Sequence, residues 1–529
     1  MQKIGWAGIF WGLAIALQAM VYVILPSYGT TVFLSPDETA VAVSARSFAD
    51  QLTMRLEDPL LKDLPWIRPR SWVTQGTAMV PVGFLGLPAI LGLLVRLFGE
   101  APLLLWTPLL VLSAIYPLWR FLRSFGKWGI FAGIATWLSF PTVILYANRG
   151  LFPNLTVACF SLWAAWLIWE RRAWWKWALS GLLMGAAFTV RPIEAVWIVP
   201  WVAFAVFYGD GGWKKVQWKD GLAFILGFLP PISLALFAAW RTYGSVFAVG
   251  YFLRDTAPSA TPPTEIHQEV GWPFGLHPRR MWSNFHAYVI GFMGPWFAAS
   301  LIAGATEIRK RTSWPVMFLA AWTLGVGVLV YGQAQYIDHV DANVAAVGNS
   351  FLRYLLPVVP FFALGIAALA QKVSQSPKIR YGGAVVFLCA TALVWLGNWT
   401  AIKRDDEGLF FNQQELARYA GIRAEAQKDL YSTAIILSDR SDKVFFPSFR
   451  VASPLPEPER IRDLVAGVSR EVDVLLFSTT QDDAGYRQWA EAGIQIHPLF
   501  ESKNQSLYLL TLPDDSRFET LENEHHETP

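Results

Sequence analysis

The chain has 529 residues, of which 54% are hydrophobic and only 16% charged, with a formal net charge of +3. A soluble domain carries about 25% charged residues, so a soluble globular protein is excluded. The net charge itself says little, and no nucleic-acid partner is expected.

The 27 Trp and 36 Phe lie largely beside apolar runs, as aromatic residues do at membrane–water boundaries. Runs of roughly 16–22 apolar residues, about one bilayer crossing each, lie near 4–25, 101–119, 128–146, 152–169, 175–190, 192–208, 220–240, 287–305, 314–332, 351–370 and 381–400. The first is too long for a signal peptide and no small-x-small cleavage site follows it, so it reads as a retained span. Cys159 and Cys389 sit inside apolar runs and read as small apolar residues.

After the first run comes FLSPDETAVAV, 33–43. Ser35 and Glu38 have capping-box spacing, and Pro36 takes the favoured first helical position. The helix they open carries Val41, Ala45, Phe48 and Leu52 on one face, which suits a helix lying at the membrane surface. Capping accounts for Ser35, Pro36 and Glu38. It does not require Asp37, which the helix dipole favours by only about 0.3–1 kcal/mol. Adjacent helical residues point about 100° apart, so Glu38 can turn to the cap while Asp37 faces a substrate. Both are candidate catalytic carboxylates, with Asp37 the one left free.

The apolar stretch 77–98, with Pro81, Gly83, Gly86, Pro88 and Gly92, is ambiguous. Five short connections settle it: Arg120/Arg123/Lys127, Arg171/Arg172/Lys176, Lys214/Lys215/Lys219, Arg309/Lys310/Arg311 and Lys372/Lys378/Arg380. Two spans separate each from the next, so all five share one side, which the positive-inside rule makes the cytoplasm. With the N-terminus inside, this holds only if 77–98 does not cross. It therefore reads as an interfacial or re-entrant element packed against protein. The outcome is about eleven spans, a cytoplasmic N-terminus and an outer face holding segment 26–100, the tip at Arg191, the loops 241–286 and 333–350, and everything after 401.

Further along the chain, YANRGLFPN (146–154) places Arg149 at an outer span boundary, as a phosphate contact or a headgroup anchor. Arg191 interrupts GAAFTVRPIEAVW between two spans. It is a functional candidate by default, or a hairpin tip paired with Glu194 three residues on. The loop 241–286 carries Arg254, His267, Glu269 and HPRR, with His277, Arg279 and Arg280, beside Trp272, Phe274 and Trp282. These suit an anionic headgroup or plain anchoring. In YIDHVDANVAAVGNSFLRYLLPVVPF, 336–362, Asp338, His339 and Asp341 form a possible acceptor or metal loop. A divalent cation is not favoured there, since no further ligands stand at a supporting spacing. Arg353 enters the following span beside Tyr354.

The tail from 401 changes character. NQQELARYAGIRAEAQK, PERIRDLVAGVSRE and AGYRQWAEAGI have helix patterns, and STAIILSD, VDVLLFST, IQIHPLF and QSLYLLTL have strand patterns. A small C-terminal α/β domain over 401–529 follows on the 1–400 membrane domain. Its acidic end, from about 514, reads as frayed.

A carboxylate can act as general base towards a hydroxyl acceptor, and arginines suit a phosphate leaving group. Together they describe transfer of a group from a lipid-linked phosphate at the outer membrane surface.

In SPDET after the first span, FGEAPLLLWTPLL after 77–98, GLLMGAAFTVRPIEAVWIVP and SFLRYLLPVVPFF, the chain resembles the GT-C fold glycosyltransferases. The branch is that of the protein O-mannosyltransferases and lipid A aminoarabinose transferases, and the resemblance covers about 1–400. It implies a polytopic α-helical protein with juxtamembrane helices in its first outer loop. It also implies a bacterial inner-membrane location, a polyprenyl-phosphate sugar donor and no tightly bound cofactor. The acceptor would be a lipid, glycan or protein on the outer face. Carried over, Asp37 resembles the catalytic acid/base, and Arg191 and Arg353 the donor-phosphate contacts, with Arg149 and Arg280 as further candidates. One departure is NRGLFPN, where many members have a second acidic residue. The competing class is a polytopic lipid or solute transporter or flippase. That reading lacks the internal repeats and midplane charges such proteins often show. A non-catalytic sensor or scaffold would leave Asp37 unexplained.

Overall fold

Proline and glycine set where the apolar runs bend. The computed structural model describes residues 6–170, 173–210, 212–253, 274–336, 346–403, 407–428, 434–467, 472–478, 489–502 and 505–513. Helix occupies all eleven runs, but not always as one rod. The 128–146 run is two helices, Gly126–Ser139 and Pro141–Asn148, because Pro141 cannot donate to the ladder and forces Phe140 into an extended conformation. The second of these meets Pro153–Glu170 at 112°. The 287–305 run breaks by 86° between Pro278–Phe292 and Gly294–Glu307. The segment Ala101–Ser139 has 39 residues, about two crossings. It turns at the 3-10 helix Arg123–Phe125, where Gly126 has φ 63°. Among the described residues, five helices are long and apolar enough to cross a membrane by length and composition, or up to seven if each bent pair is one span.

Small residues let two helices meet closely. A Cβ on Gly181 or Gly185 of Trp174–Val190 would lie 2.0 Å or 2.5 Å from the Phe224 or Phe228 carbonyl oxygen of Trp218–Tyr243. Spans pack this way where lipid offers no hydrophobic drive between helices. The broken helix end at Asn148 is tied by its own amide. Its Nδ2 donates to the Val21 carbonyl (2.9 Å), and its Oδ1 accepts from Leu25 N–H (3.1 Å).

Segment 26–100, expected as the first outer loop, differs from expectation in two ways. Its apolar stretch 77–98 is not one element. Ala78–Pro81 (β3) pairs antiparallel with Leu56–Glu57 (β1) and Trp72–Gln75 (β2), and only Gly86–Phe98 is helical. The four residues of β3 are all buried, so the strand lacks the alternation that would have marked it. The helix Pro36–Gln51 is also buried on more than one face: Ala40, Ala42, Val43, Ala45, Phe48 and Ala49 are all covered. It packs beneath Gly86–Phe98, where a Cβ on Gly92 would meet the Ala45 carbonyl at 2.7 Å.

In the tail, Ile435–Ser438 (β4), Arg450–Ala452 (β5), Val474–Ser478 (β6), Gln495–Ser502 (β7) and Gln505–Thr511 (β8) form a mixed sheet of order β5-β4-β6-β8-β7. β4 runs parallel to β5 and β6, while β8 runs antiparallel to β6 and β7. The short β5 has no clear sequence signal. Within AGYRQWAEAGI, residues 484–488 lie outside the described residues. The sheet shares one apolar core with segment 26–100, in which Leu61, Ile67 and Trp72 join Ile435, Ile436, Phe445 and Phe446. The Trp72 and Phe446 rings lie 5.4 Å apart. Each such buried side chain contributes about 1.5–3 kcal/mol. Arg450 adds a pair with Asp58 (Nε to Oδ2 2.7 Å).

Lys443 sits in this junction with its ammonium 5.1 Å from the Tyr419 ring. Burial first, then the Arg70 cation, pushes it down to about 8, against the pull of Asp442. A lysine depressed in the folded state destabilises that state fully below about 8 and is relieved as pH rises towards 10.5. Lys443→Met is therefore expected to raise the thermal unfolding temperature at neutral pH and to flatten its rise across that window. Unchanged unfolding curves would count against this placement.

Candidate active site

The site begins at the helix that Ser35 caps. Ser35 is extended (φ −137°, ψ 155°) and its Oγ accepts from Glu38 N–H at 3.2 Å. Ser35 Oγ in turn donates to Glu38 Oε2 at 3.0 Å. Capping alone does not account for Glu38, however. The same oxygen accepts from Arg149 Nη2 (2.9 Å) and Nε (3.2 Å), and the two residues are 4% and 9% exposed. Where NRGLFPN lacks an acid, it supplies the cation that neutralises Glu38. Arg149 also stacks over Phe152 at 4.9 Å. A small cavity lined by Leu25, Phe33, Glu38, Leu103, Arg149 and Leu416 opens on this side of the helix and does not reach Asp37.

Asp37 points elsewhere. Its side chain is 54% exposed. Oδ1 accepts from Ser71 Oγ at 2.7 Å, and Oδ2 lies 3.7 Å from Arg353 Nη2. Arg353 comes from the short helix Ser350–Tyr354, which Asn349 caps through Phe351 N–H. Its guanidinium lies over the Phe152 ring (4.6 Å) and the Tyr354 ring (5.2 Å), and Nη2 donates to Tyr354 Oη at 3.3 Å.

Arg191 approaches the Tyr354 ring as well, at 4.9 Å. It forms the expected i,i+3 pair with Glu194 (Nε to Oε1 3.0 Å) and donates to Tyr331 Oη at 3.3 Å. Tyr331 stacks on Tyr354 with centroids 4.0 Å apart and donates to Glu194 Oε1 at 3.0 Å. Trp197 Nε1 donates to the other Glu194 oxygen. Glu194 is 2% exposed, so it holds Arg191 and Tyr331 in register.

Tyr251, on the short helix Gly250–Leu253, closes the group beside Phe84 (5.4 Å between rings). Although the side chain as a whole is 45% exposed, desolvation at its hydroxyl and then the Asp37 carboxylate push that hydroxyl up to about 12, with Arg191 and Arg353 opposing. At neutral pH it remains a proton donor.

The structure thus brings Asp37, Arg353 and Arg191 together around Tyr354, and sets Glu38 and Arg149 apart as a buried pair. Arg280 stands on the helix Pro278–Asn284, whose Asn284 Nδ2 donates to the Gly332 carbonyl at 2.8 Å, next to Tyr331. Its helix therefore packs beside the segment that carries Tyr331. Asp338, His339 and Asp341 lie outside the described residues, as do Arg254, His267, Glu269 and Trp272. Among the described residues, no three His, Cys, Asp or Glu side chains are grouped to hold a metal. Sequence reasoning missed Ser71, Tyr331 and Tyr251. None has a local motif, and each arrives from a distant segment.

An exposed carboxylate beside two arginines on aromatic faces can accept a proton from a hydroxyl while the arginines stabilise a phosphate. No family model matches the chain, and no curated protein matches it by sequence. Solved structures do. ArnT from Cupriavidus metallidurans bound to undecaprenyl phosphate superposes with a TM-score of 0.53 at 13% identity, covering 97% of this chain and 99% of that one. The fold is that of ArnT. The apo form of ArnT gives 0.54 at 14% identity over 95% and 98% of the two chains. ArnT is a lipid A aminoarabinose transferase of GT-C fold. Near-full coverage means that the correspondence with ArnT takes in the C-terminal sheet as well as the apolar helices.

Proposed function

We propose that this chain is an integral-membrane glycosyltransferase that moves a sugar from a polyprenyl-phosphate donor to an acceptor on the outer face. The observation that carries the reading is the meeting of Asp37 with Arg353 at 3.7 Å, with Arg191 on the same Tyr354 ring. Asp37 takes the acceptor hydroxyl's proton as that oxygen attacks the anomeric carbon. The bond from that carbon to the donor phosphate oxygen breaks, and Arg353 and Arg191 stabilise the departing lipid phosphate. Arg280 is a further candidate for holding the headgroup, whereas Arg149 is engaged with Glu38. The undecaprenyl phosphate bound in the ArnT structure supports a donor of this lipid class. The membrane domain, 1–400, has about eleven spans with its N-terminus in the cytoplasm. The C-terminal unit, 401–529, lies outside beside the acceptor, which is a lipid, glycan or protein.

The test is turnover by the purified full-length chain in nanodiscs. Undecaprenyl-phosphate-linked sugars, including mannose and aminoarabinose, are offered with envelope lipid, glycan and protein acceptors. Transfer with release of undecaprenyl phosphate is expected. Absence of both transfer and undecaprenyl phosphate binding would overturn the reading. Arg353→Gln removes a charged contact worth about 1.5–3 kcal/mol, so it is expected to weaken undecaprenyl phosphate binding about tenfold to a hundredfold. Equal affinity in a direct binding titration would remove Arg353 from the site.

A further inference from the structure

Ser71 is a non-glycine residue with φ 63°. Such a conformation persists only where the surroundings determine it, and it tends to mark a functional position. Both sides of Ser71 are held. On its C-terminal side its carbonyl accepts from Val82 N–H at 2.9 Å, and Trp72 begins the β2 pairing with β3. On its N-terminal side Arg70 is gripped by Asp442 of the C-terminal unit. Arg70 N–H donates to Asp442 Oδ2 (2.8 Å), and Nε and Nη2 donate to Oδ1 (3.0 and 2.7 Å). Arg70 Nη2 also reaches the Arg440 carbonyl at 2.6 Å. Asp442 is completely buried while the Arg70 side chain is 28% exposed, so the carboxylate is desolvated and held by a geometrically tight two-point clamp. Held this way, Ser71 aims its hydroxyl at Asp37 Oδ1 (2.7 Å) and leaves Oδ2 towards Arg353.

We infer that the C-terminal unit is part of the catalytic apparatus, with Asp442 fixing Arg70 and Ser71 so that Ser71 positions the Asp37 carboxylate. Ser71 is a positioning residue, and Asp442 acts through it. The inference rests on the glycosyltransferase reading for its catalytic consequence. The hydrogen-bond relay itself does not depend on that reading.

Two readouts separate the cases in the full-length chain in nanodiscs. The first is the infrared carboxylate stretch of Asp37 at one fixed neutral pH, identified by its loss in Asp37→Asn. A hydrogen bond donated to a carboxylate oxygen changes the frequency of that stretch. Ser71→Ala is therefore expected to shift the Asp37 band, and Ser71→Thr to restore it. Arg70→Lys, which keeps the charge but loses the two-point clamp, is expected to shift it in the same direction, as is Asp442→Asn. Arg70→Lys carries the relay test if the buried Asp442 variant does not fold.

The second readout is turnover with whichever undecaprenyl-phosphate sugar is a donor. Loss of a hydrogen bond to a charged group should lower kcat about tenfold to a hundredfold, with donor KM little changed. An unshifted band in Ser71→Ala overturns the role of Ser71. A shifted band there with none in Arg70→Lys overturns the role of the C-terminal unit. Transfer surviving in Asp37→Asn would instead defeat the catalytic reading, while the infrared result would still report on the relay.

Discussion

Asp37→Asn is expected to abolish sugar transfer and to leave the protein as stable as the parent. The substitution keeps size and shape but removes the proton acceptor, a loss of about a hundredfold to ten-thousandfold where a general base is needed. Little stability is at stake. The side chain is 54% exposed, and its pair with Arg353 spans 3.7 Å. Its place in the first helical turn is worth about 0.3–1 kcal/mol. The measurement is transfer by purified protein, beside a thermal unfolding curve. Parental turnover with an intact fold would remove Asp37 from the chemistry and leave the arginine cluster without a base.

Glu38→Gln is expected to have the opposite phenotype, a loss of stability in segment 26–100. Glu38 neutralises Arg149 through contacts of 2.9 and 3.2 Å, and both residues are buried. Removing one member of a buried pair leaves the other charge uncompensated, at a cost of about 3–5 kcal/mol. Arg149→Met in the same chain is expected to recover most of the loss, since the two residues act as one unit. Thermal unfolding of both single variants and the double variant reads this directly. A Glu38→Gln protein with parental stability and no transfer would move the catalytic role from Asp37 to Glu38. The two adjacent carboxylates are thus separable by experiment.

Local chemistry was readable in the chain. The eleven apolar runs became helices because only helix satisfies the backbone within an apolar segment. The Ser35 cap followed from spacing, and so did the Arg191–Glu194 pair, since residues three apart share a helical face. The acidic pair after the first span and the arginines before and within later ones were visible as candidates. Their order along the chain carried the resemblance to GT-C enzymes.

What stayed hidden depends on contacts between distant segments. Glu38 looked like a capping residue because the partner that buries it lies 111 positions away. Ser71 has no motif, and it matters through a carboxylate 34 positions before it and a clamp 372 positions after Arg70. β3 looked like part of a single apolar element, because a short strand buried on both faces has the same composition as a helix. The sequence by itself determined a membrane protein of many helices and offered a short set of carboxylates and arginines. The tertiary structure alone decided which carboxylate faces Arg353 and which is consumed in packing. Burial, and with it the energetic cost of an unpaired charge, is a property of the folded surroundings rather than of local spacing.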